Sequence, residues 1–180
     1  MGQRRFDPTR LDVAALATEH VTLSGQWVAT ELPRWQAMQS PLSDAEPEPV
    51  RWSVHGEMRH VSGQPAQPWL RVQVSTIAWP VCQRCLQSFG QPLEVDRSLR
   101  FVDTEAQAEA LDADSDDDVL ALRPAPDLRT LVEDELLLAW PIVPRHAQCS
   151  VPQHDAGDEA ASTSAAFAAL AALKPPASGH

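Results

Sequence analysis

The sequence predicts an α+β fold, in which a curved antiparallel sheet of about five strands packs against one helix. Three observations support this class. Several segments alternate apolar and polar residues with the period of two that a strand requires. Residues 127–140 instead place apolar side chains three and four positions apart, as on one face of a helix. The 180 residues leave room for one ordinary domain with a real core, beside several polar stretches.

The N-terminal part predicts two short helices around one strand. Pro8 opens an apolar run over residues 11–17, and proline is well tolerated in the first turn of a helix. Residues 20–27 alternate as a strand does, and the apolar residues of 32–38 return to helical spacing. A proline-rich and acidic loop is expected at 40–49.

Three longer strands are predicted in the middle of the chain. Residues 50–61 and 69–79 alternate with a period of two and are joined by a turn-rich Ser-Gly-Gln-Pro sequence, which predicts an antiparallel hairpin. A further strand is predicted at 92–102. The pair Cys82 and Cys85 is therefore expected at the tip between two long strands.

The last third of the domain predicts an acidic loop, a short strand and the clearest helix. Between Asp103 and Asp118 the chain has eight acidic residues and no basic one, with too few apolar groups to offset the cost of ordering. A mobile loop is expected there, followed by a short strand at 119–122. The helix that starts at Asp127 ends at Pro141, and its C-terminal half is expected to be buried on nearly all sides.

We expect a single domain over residues 1–146 and a flexible tail over 147–180. Within the tail, residues 165–174 have helix-forming composition. A helix of this length is marginal in water by itself, so we expect it to order on a partner, as a docking helix on a tether. The alternative is that it folds back on the sheet. Three apolar residues mark its face: Phe167, Leu170 and Leu173.

The composition bears on the partner and on the compartment. The 14 Lys and Arg residues against 25 Asp and Glu residues give a net charge of -11, which repels nucleic-acid phosphates as a whole. Contact with RNA is therefore expected to be indirect or local. No apolar stretch approaches the length of a membrane span and no signal sequence precedes the domain, so the chain is expected to be soluble and cytoplasmic.

Two segments carry a family resemblance. Cys82-Gln83-Arg84-Cys85-Leu86 and the run D-L-R-T-L-V-E-D-E-L-L-L-A-W-P-I-V-P over 127–144, with a weaker point at 167–174, resemble the YceD family of large ribosomal RNA subunit accumulation proteins. The resemblance extends from about residue 70 to 174. It implies a cytoplasmic factor needed for the synthesis, processing or stability of large-subunit (23S) ribosomal RNA. It implies no mechanism.

Two mechanisms are compatible with this role. In the first, the chain is a non-enzymatic assembly adaptor that binds a pre-ribosomal large subunit or a basic protein of that subunit, with candidate partner-binding residues Arg84, Phe167, Leu170 and Leu173. In the second, it binds RNA directly. That alternative would use a sheet face with the strand arginines Arg51, Arg59, Arg71, Arg84, Arg97 and Arg100. Three strand tryptophans could then stack on bases, although they more simply fill a core: Trp52, Trp69 and Trp79.

A zinc site is a further hypothesis. Cys82 and Cys85 have the spacing of a zinc knuckle, and His146 and Cys149 supply a second pair with the same spacing. The alternative is that the cysteines only pack a corner between two strands. A redox role is less consistent with the sequence, because strands and not the start of a helix flank the pair.

The acidic run in the 127–140 helix suggests no enzyme site. Three consecutive helical positions spread over about 200° of arc, so Glu133, Asp134 and Glu135 cannot converge on one point without another element. We expect them to form a solvated or partner-facing edge.

Overall fold

The structure is a computed structural model that describes residues 6–60, 65–112 and 117–150. Its centre is an open sheet whose strands are β1 (Thr22–Trp27), β2 (Val50–Arg59), β3 (Gln67–Ala78), β4 (Gln91–Val102) and β5 (Asp118–Ala121). The strands lie in sequence order across the sheet. Those from β1 to β4 are antiparallel to their neighbours, whereas β5 runs parallel to β4. The predicted α+β class with about five strands is confirmed.

Four helices flank the described strands: α1 (Val13–Thr18), α2 (Pro33–Met38), α3 (Glu105–Asp112) and α4 (Leu128–Leu138). The single helix predicted from Pro8 is divided into a 3-10 turn and α1. The reason is a second N-cap. The Asp12 carboxylate accepts a hydrogen bond from the Ala15 backbone N–H at 3.0 Å, so a new helix begins after Asp12.

The main core lies on one face of the sheet, beneath α1, α2 and α4. Leu16 of α1, Trp35 of α2 and Leu136 of α4 share one cluster with alternate residues of β2, β3 and β4. The approach of α1 is close. A Cβ added at Gly56 of β2 would lie 2.6 Å from the backbone carbonyl carbon of Leu16, so only glycine fits this crossing.

Helix α3 occupies part of the segment where the sequence predicted a mobile acidic loop, and this part of the prediction is wrong. The Thr104 carbonyl accepts from the N–H groups of Gln107 and Ala108, which starts the helix. Ala108 is buried against Val102 of β4 and Val119 of β5 in a second, smaller cluster. Because Val102 follows the main-core residue Phe101 in β4, this cluster lies on the opposite face of the sheet.

The compact unit that contains these elements ends at Cys149. The predicted tail helix at 165–174, with Phe167, Leu170 and Leu173, lies outside the described residues. The boundary at residue 146 stays a prediction. None of the helices among the described residues is long and apolar enough to cross a membrane.

Candidate metal centre

The first half of the site is a tight turn between β3 and β4. The Cys82 N–H donates to the Gln87 carbonyl and the Leu86 N–H donates to the Cys82 carbonyl, each at 2.9 Å. Leu86 has a φ of 60°, in the left-handed region that residues other than glycine seldom adopt. This backbone conformation reverses the chain after Cys85. The two cysteines therefore lie on one compact turn, as their position between two strands predicted.

The second half of the site comes from the segment that follows α4. The Pro144 carbonyl accepts from the Gln83 N–H at 2.9 Å, which brings this segment against the cysteine turn. The His146 N–H then points to Cys82 Sγ at 3.4 Å, and the His146 ring packs on Phe89 with 4.4 Å between ring centroids. Backbone and ring contacts thus position the second pair.

The four predicted ligands converge. Their ligand atoms all lie within 4.8 Å of one another: the sulfurs of Cys82, Cys85 and Cys149 and a ring nitrogen of His146. Cys82 Sγ lies 3.6 Å from Cys149 Sγ, and Cys85 Sγ lies 3.3 Å from His146 Nδ1. Sulfur ligands on a tetrahedral zinc ion are about 3.8 Å apart, given a Zn–S bond of about 2.3 Å. The cluster therefore has the ligand types and the size to hold a metal ion, and its three cysteines are free of disulfides.

The pKa values of the two cysteines in the turn are shifted in opposite directions. Burial raises the pKa of Cys82, but backbone N–H groups of Cys85, His146 and Arg84 outweigh it and lower that pKa to about 5. For Cys85, the Gln87 N–H lowers the pKa, but burial and the neighbouring sulfurs outweigh it and raise it. Of the two cysteines in the turn, Cys82 is thus the one better prepared to act as an anion.

Arg84 belongs to this site. Its Nε donates to Cys149 Sγ at 2.9 Å and its Nη2 donates to the His146 carbonyl at 3.1 Å. This bond to Cys149 raises the pKa of Arg84. The sequence proposed Arg84 for partner binding, which stays a prediction, but its guanidinium is already engaged with the second ligand pair.

The other strand arginines do not form one free basic face. Arg97 contacts Asp118 and lies 3.8 Å from Glu135 of α4, on the face that the helices cover. The Arg71 guanidinium donates to Asp96 at 2.8 and 2.6 Å. Strand alternation places Arg71 on the opposite face, together with the remaining three arginines: Arg51, Arg59 and Arg100.

Two of the three tryptophans considered for base stacking are buried. Trp52 stacks on Trp27 with 4.7 Å between ring centroids, in the main core. Trp69 is buried under the Arg59 guanidinium, which lies 4.5 Å from its ring centroid. Trp79 is half-buried. Trp52 therefore fills the core, as the simpler interpretation held, and Trp69 is buried on the opposite face of the sheet, outside the two core clusters.

The acidic run of α4 has a structural role that the sequence did not reveal. Glu133 and Glu135 are buried, so the expectation of a solvated edge is wrong for both. Glu133 accepts from the backbone N–H groups of Arg34 and Trp35, and the Arg34 side chain donates to both Glu133 and Asp134. The outside element that lets neighbouring carboxylates converge is thus the first turn of α2.

The chain matches a known protein family. A protein-family model described as Large ribosomal RNA subunit accumulation protein YceD matches residues 70–174, more than half of the chain. The matched range contains the cysteine turn, the acidic run of α4 and both residues of the second ligand pair. A search of curated proteins and a search of solved structures each found no match.

Proposed function

The chain belongs to the YceD family of large ribosomal RNA subunit accumulation proteins, and we propose that it serves this role as a non-enzymatic ribosome-assembly adaptor. Its partner is a pre-ribosomal large subunit or a basic protein of that subunit. The family match over residues 70–174 is the observation that carries the proposal. The buried carboxylates of α4 also support a non-catalytic role, because Glu133 is fully engaged in holding α2.

The charge distribution favours a basic protein over bare RNA as the direct partner. The net charge is -11, and no basic residue occurs from Asp103 to Leu122. Helix α3 carries exposed carboxylates in this stretch, at Glu105, Glu109 and Asp112. Negative potential of this kind accelerates encounter with a cationic protein and opposes encounter with phosphate.

Direct RNA binding is the second candidate, and Arg51 is the observation in its favour. This exposed arginine lies opposite Ser75 on the sheet face that α1, α2 and α4 leave uncovered. Other cations of that face are engaged, however, since Arg59 pairs with Glu57 and Arg71 with Asp96. Glu94 adds a further negative charge next to Ser75. The face is therefore of mixed charge.

Cellular assays test the family role and separate its two mechanisms. Deletion of the gene is expected to lower large-subunit relative to small-subunit ribosomal RNA, and an unchanged ratio across growth temperatures would contradict the role. Tagged full-length protein is expected to recover a basic ribosomal protein even after nuclease treatment. The RNA alternative predicts instead a steep dependence of binding to purified ribosomal RNA on salt, reduced in an Arg51→Gln variant.

We also propose that the Cys82, Cys85, His146 and Cys149 cluster holds a structural zinc ion. Four nitrogen and sulfur ligands with no open position are the usual set of a structural zinc site. Three thiolates around a divalent ion leave one net negative charge, and the Arg84 guanidinium on Cys149 Sγ offsets it. The ion would fasten the β3–β4 turn to the segment after α4.

Elemental analysis of full-length protein prepared without a His-tag tests the zinc proposal. One equivalent is expected, together with a lower melting temperature after chelation, because metal-binding free energy adds to folding free energy. Cys85→Ser should lose the metal. Gln83→Ala, an exposed position in the same turn whose backbone contact is retained, should keep it. Less than about a tenth of an equivalent, with no effect of chelator, would leave the packing interpretation.

A further inference from the structure

We propose that Cys82 and Cys149 form an oxidation site, in which a peroxide joins their sulfurs in a disulfide and thereby opens the metal centre. The proposal adds regulation to the zinc site proposed above, and so rests on it for its consequence. The reaction between the sulfurs does not require the metal. The pairing also differs from the Cys82–Cys85 disulfide that a Cys-x-x-Cys spacing alone would suggest.

The positions of the sulfurs carry the choice of pair. Cys82 Sγ and Cys149 Sγ are already 3.6 Å apart, so an approach of about 1.5 Å brings them to the disulfide bond length of about 2.05 Å. Cys85 Sγ has a further contact of its own, with His146 Nδ1 at 3.3 Å. The sulfur that lies ready beside the buried Cys82 is contributed from 67 positions away.

The backbone also favours movement of Cys149 over movement of Cys85. Cys85 lies inside a turn whose hydrogen bonds run from the Leu86 N–H to the Cys82 carbonyl and from the Cys82 N–H to the Gln87 carbonyl. Cys149 lies at the end of the compact unit, in no helix or strand. Its displacement therefore disturbs no secondary structure.

Exposure assigns the order of the two steps. Cys149 is half-buried, whereas Cys82 is completely buried. A small oxidant therefore reaches Cys149 first. Cys82 is then the resolving residue.

The reaction balances with hydrogen peroxide as the oxidant. The Cys149 thiolate attacks one peroxide oxygen, the O–O bond breaks, and Cys149 becomes a sulfenic acid while hydroxide leaves and takes up a proton. The Cys82 thiolate then attacks Cys149 Sγ. The S–O bond breaks, hydroxide again leaves as water, and the S–S bond forms. Two thiols and one peroxide thus give one disulfide and two waters.

Closure of this disulfide removes two of the four metal ligands. Cys85 and His146 remain, and two ligands do not complete the tetrahedral set that a structural zinc ion needs. The ion would be released. Reduction of the disulfide would restore the metal site. The β3–β4 turn would thus be joined to the segment after α4 either by the metal or by the disulfide bond.

Peptide mapping tests the pairing directly. Metal-free full-length protein is treated with hydrogen peroxide, alkylated, denatured and digested with trypsin without reductant. Because trypsin cleaves after Arg71, Arg84, Arg97 and Arg145, the three cysteines leave on three different peptides. The expected product is the peptide with Cys82 linked to that with Cys149. Cys85→Ser should retain this linked pair, and Cys149→Ser should lose it.

The outcomes separate this proposal from the zinc proposal. A product in which Cys82 is mainly linked to Cys85, or no linked peptide at all, overturns the oxidation site whether or not the protein binds zinc. Absence of zinc in the untreated protein overturns only the metal centre. If both proposals hold, peroxide releases zinc to a chromogenic chelator from the wild type, and Cys149→Asp, which keeps a metal-ligating oxygen in place of the sulfur, shows neither the linked peptide nor peroxide-dependent release.

Discussion

Glu133 fastens α2 to α4 through both of its carboxylate oxygens. Oε1 accepts from the backbone N–H groups of Arg34 at 2.7 Å and Trp35 at 3.0 Å, and Oε2 accepts from the Arg34 side chain at 2.8 Å. The carboxylate therefore satisfies N–H groups at the start of a helix, where Leu32 offers no side-chain cap. Its burial shows that the position serves the fold.

Glu133→Ala should destabilise the protein far more than Asp134→Ala does. Removal of Glu133 leaves two backbone N–H groups and the Arg34 Nε–H without their acceptor, which costs about 2 to 4 kcal/mol. Asp134 also pairs with Arg34, but this pair is half-exposed, and its loss should cost less than about 1 kcal/mol. Urea unfolding of both variants makes the comparison. Equal losses would show that Glu133 does not anchor α2.

Glu135 should make stability depend on pH in the direction opposite to a carboxylate whose pKa is lowered by a paired cation. Burial raises the pKa of Glu135, although the Arg97 charge acts to lower it. A group that binds its proton more tightly when folded contributes stability at low pH, and this is lost as pH rises through its folded pKa. The Glu135→Gln variant cannot ionise at this position. Its free energy of unfolding should therefore be higher than that of the wild type at about pH 7, and the difference should shrink towards about pH 4.

Asp96 provides the control of opposite sign. The Arg71 guanidinium lowers the pKa of Asp96 to about 2. Its contribution is present above the ordinary pKa of an aspartate and is lost as pH falls through the folded value. Asp96→Asn should thus be less stable than wild type at neutral pH. A Glu135→Gln variant that is also less stable there would show that the ion pair with Arg97 outweighs burial.

Among individual residues, the sequence predicted the candidate metal ligands because their spacing along the chain was informative. Cys82, Cys85, His146 and Cys149 converge as their matched spacing suggested. The contact between Glu133 and Arg34 was not predictable, because 99 positions separate the two residues and no pattern relates them. Long-range polar contacts of this kind depend on how helices pack, which the period of a single helix does not contain.

Helix α3 is the element where local composition misled. Its acidic residues and few large apolar groups suggested a loop, since low hydrophobicity rarely offsets the entropy cost of ordering. Small residues nevertheless suffice here, because Ala108 meets two valines of the adjoining strands, Val102 and Val119. The direction of β5 was also not predictable from the sequence. It runs parallel to β4 because α3 carries the chain back across the sheet.

Ala108→Asp should loosen α3, whereas Ala106→Asp should not. Both positions are alanines in the same helix, but Ala108 is buried against the sheet and Ala106 is exposed. A carboxylate forced into the small cluster is desolvated without a partner in it. Hydrogen exchange is the measurement: amides of residues 107–112 should exchange faster in Ala108→Asp and at the wild-type rate in Ala106→Asp. Fast exchange in the wild type would restore the loop interpretation.

The whole molecule combines one folded unit with a terminal segment whose role is still a prediction. The described buried residues of the main core lie between Leu11 and Leu136. The strands β1 to β4 and the extent of α4 were predictable because long, regular patterns specify them. The expected burial of the C-terminal half of α4 on nearly all sides is wrong, because Leu138 is exposed. The placement of α2 against α4, and of α3 on the opposite face, required the structure.

Removal of residues 163–180 should leave the melting temperature nearly unchanged and reduce recovery of partners. These residues lie outside the described ones, and the expectation rests on the spacing of Phe167, Leu170 and Leu173, which suits a groove on another protein. Thermal unfolding and a pull-down compare the truncated and full chains. A loss of several degrees would show that the segment covers part of the folded unit, and undiminished recovery would remove it from the partner site.

The contact between Cys82 and Cys149 also has a topological consequence. A chain joined at these two points becomes a closed loop that contains β4, α3, β5 and α4. A disulfide there restricts the unfolded chain far more than the folded one. For a loop of 67 positions, the lost chain entropy corresponds to about 4 kcal/mol in favour of the folded state. A single disulfide between Cys82 and Cys149 therefore limits how far all four elements can separate on unfolding.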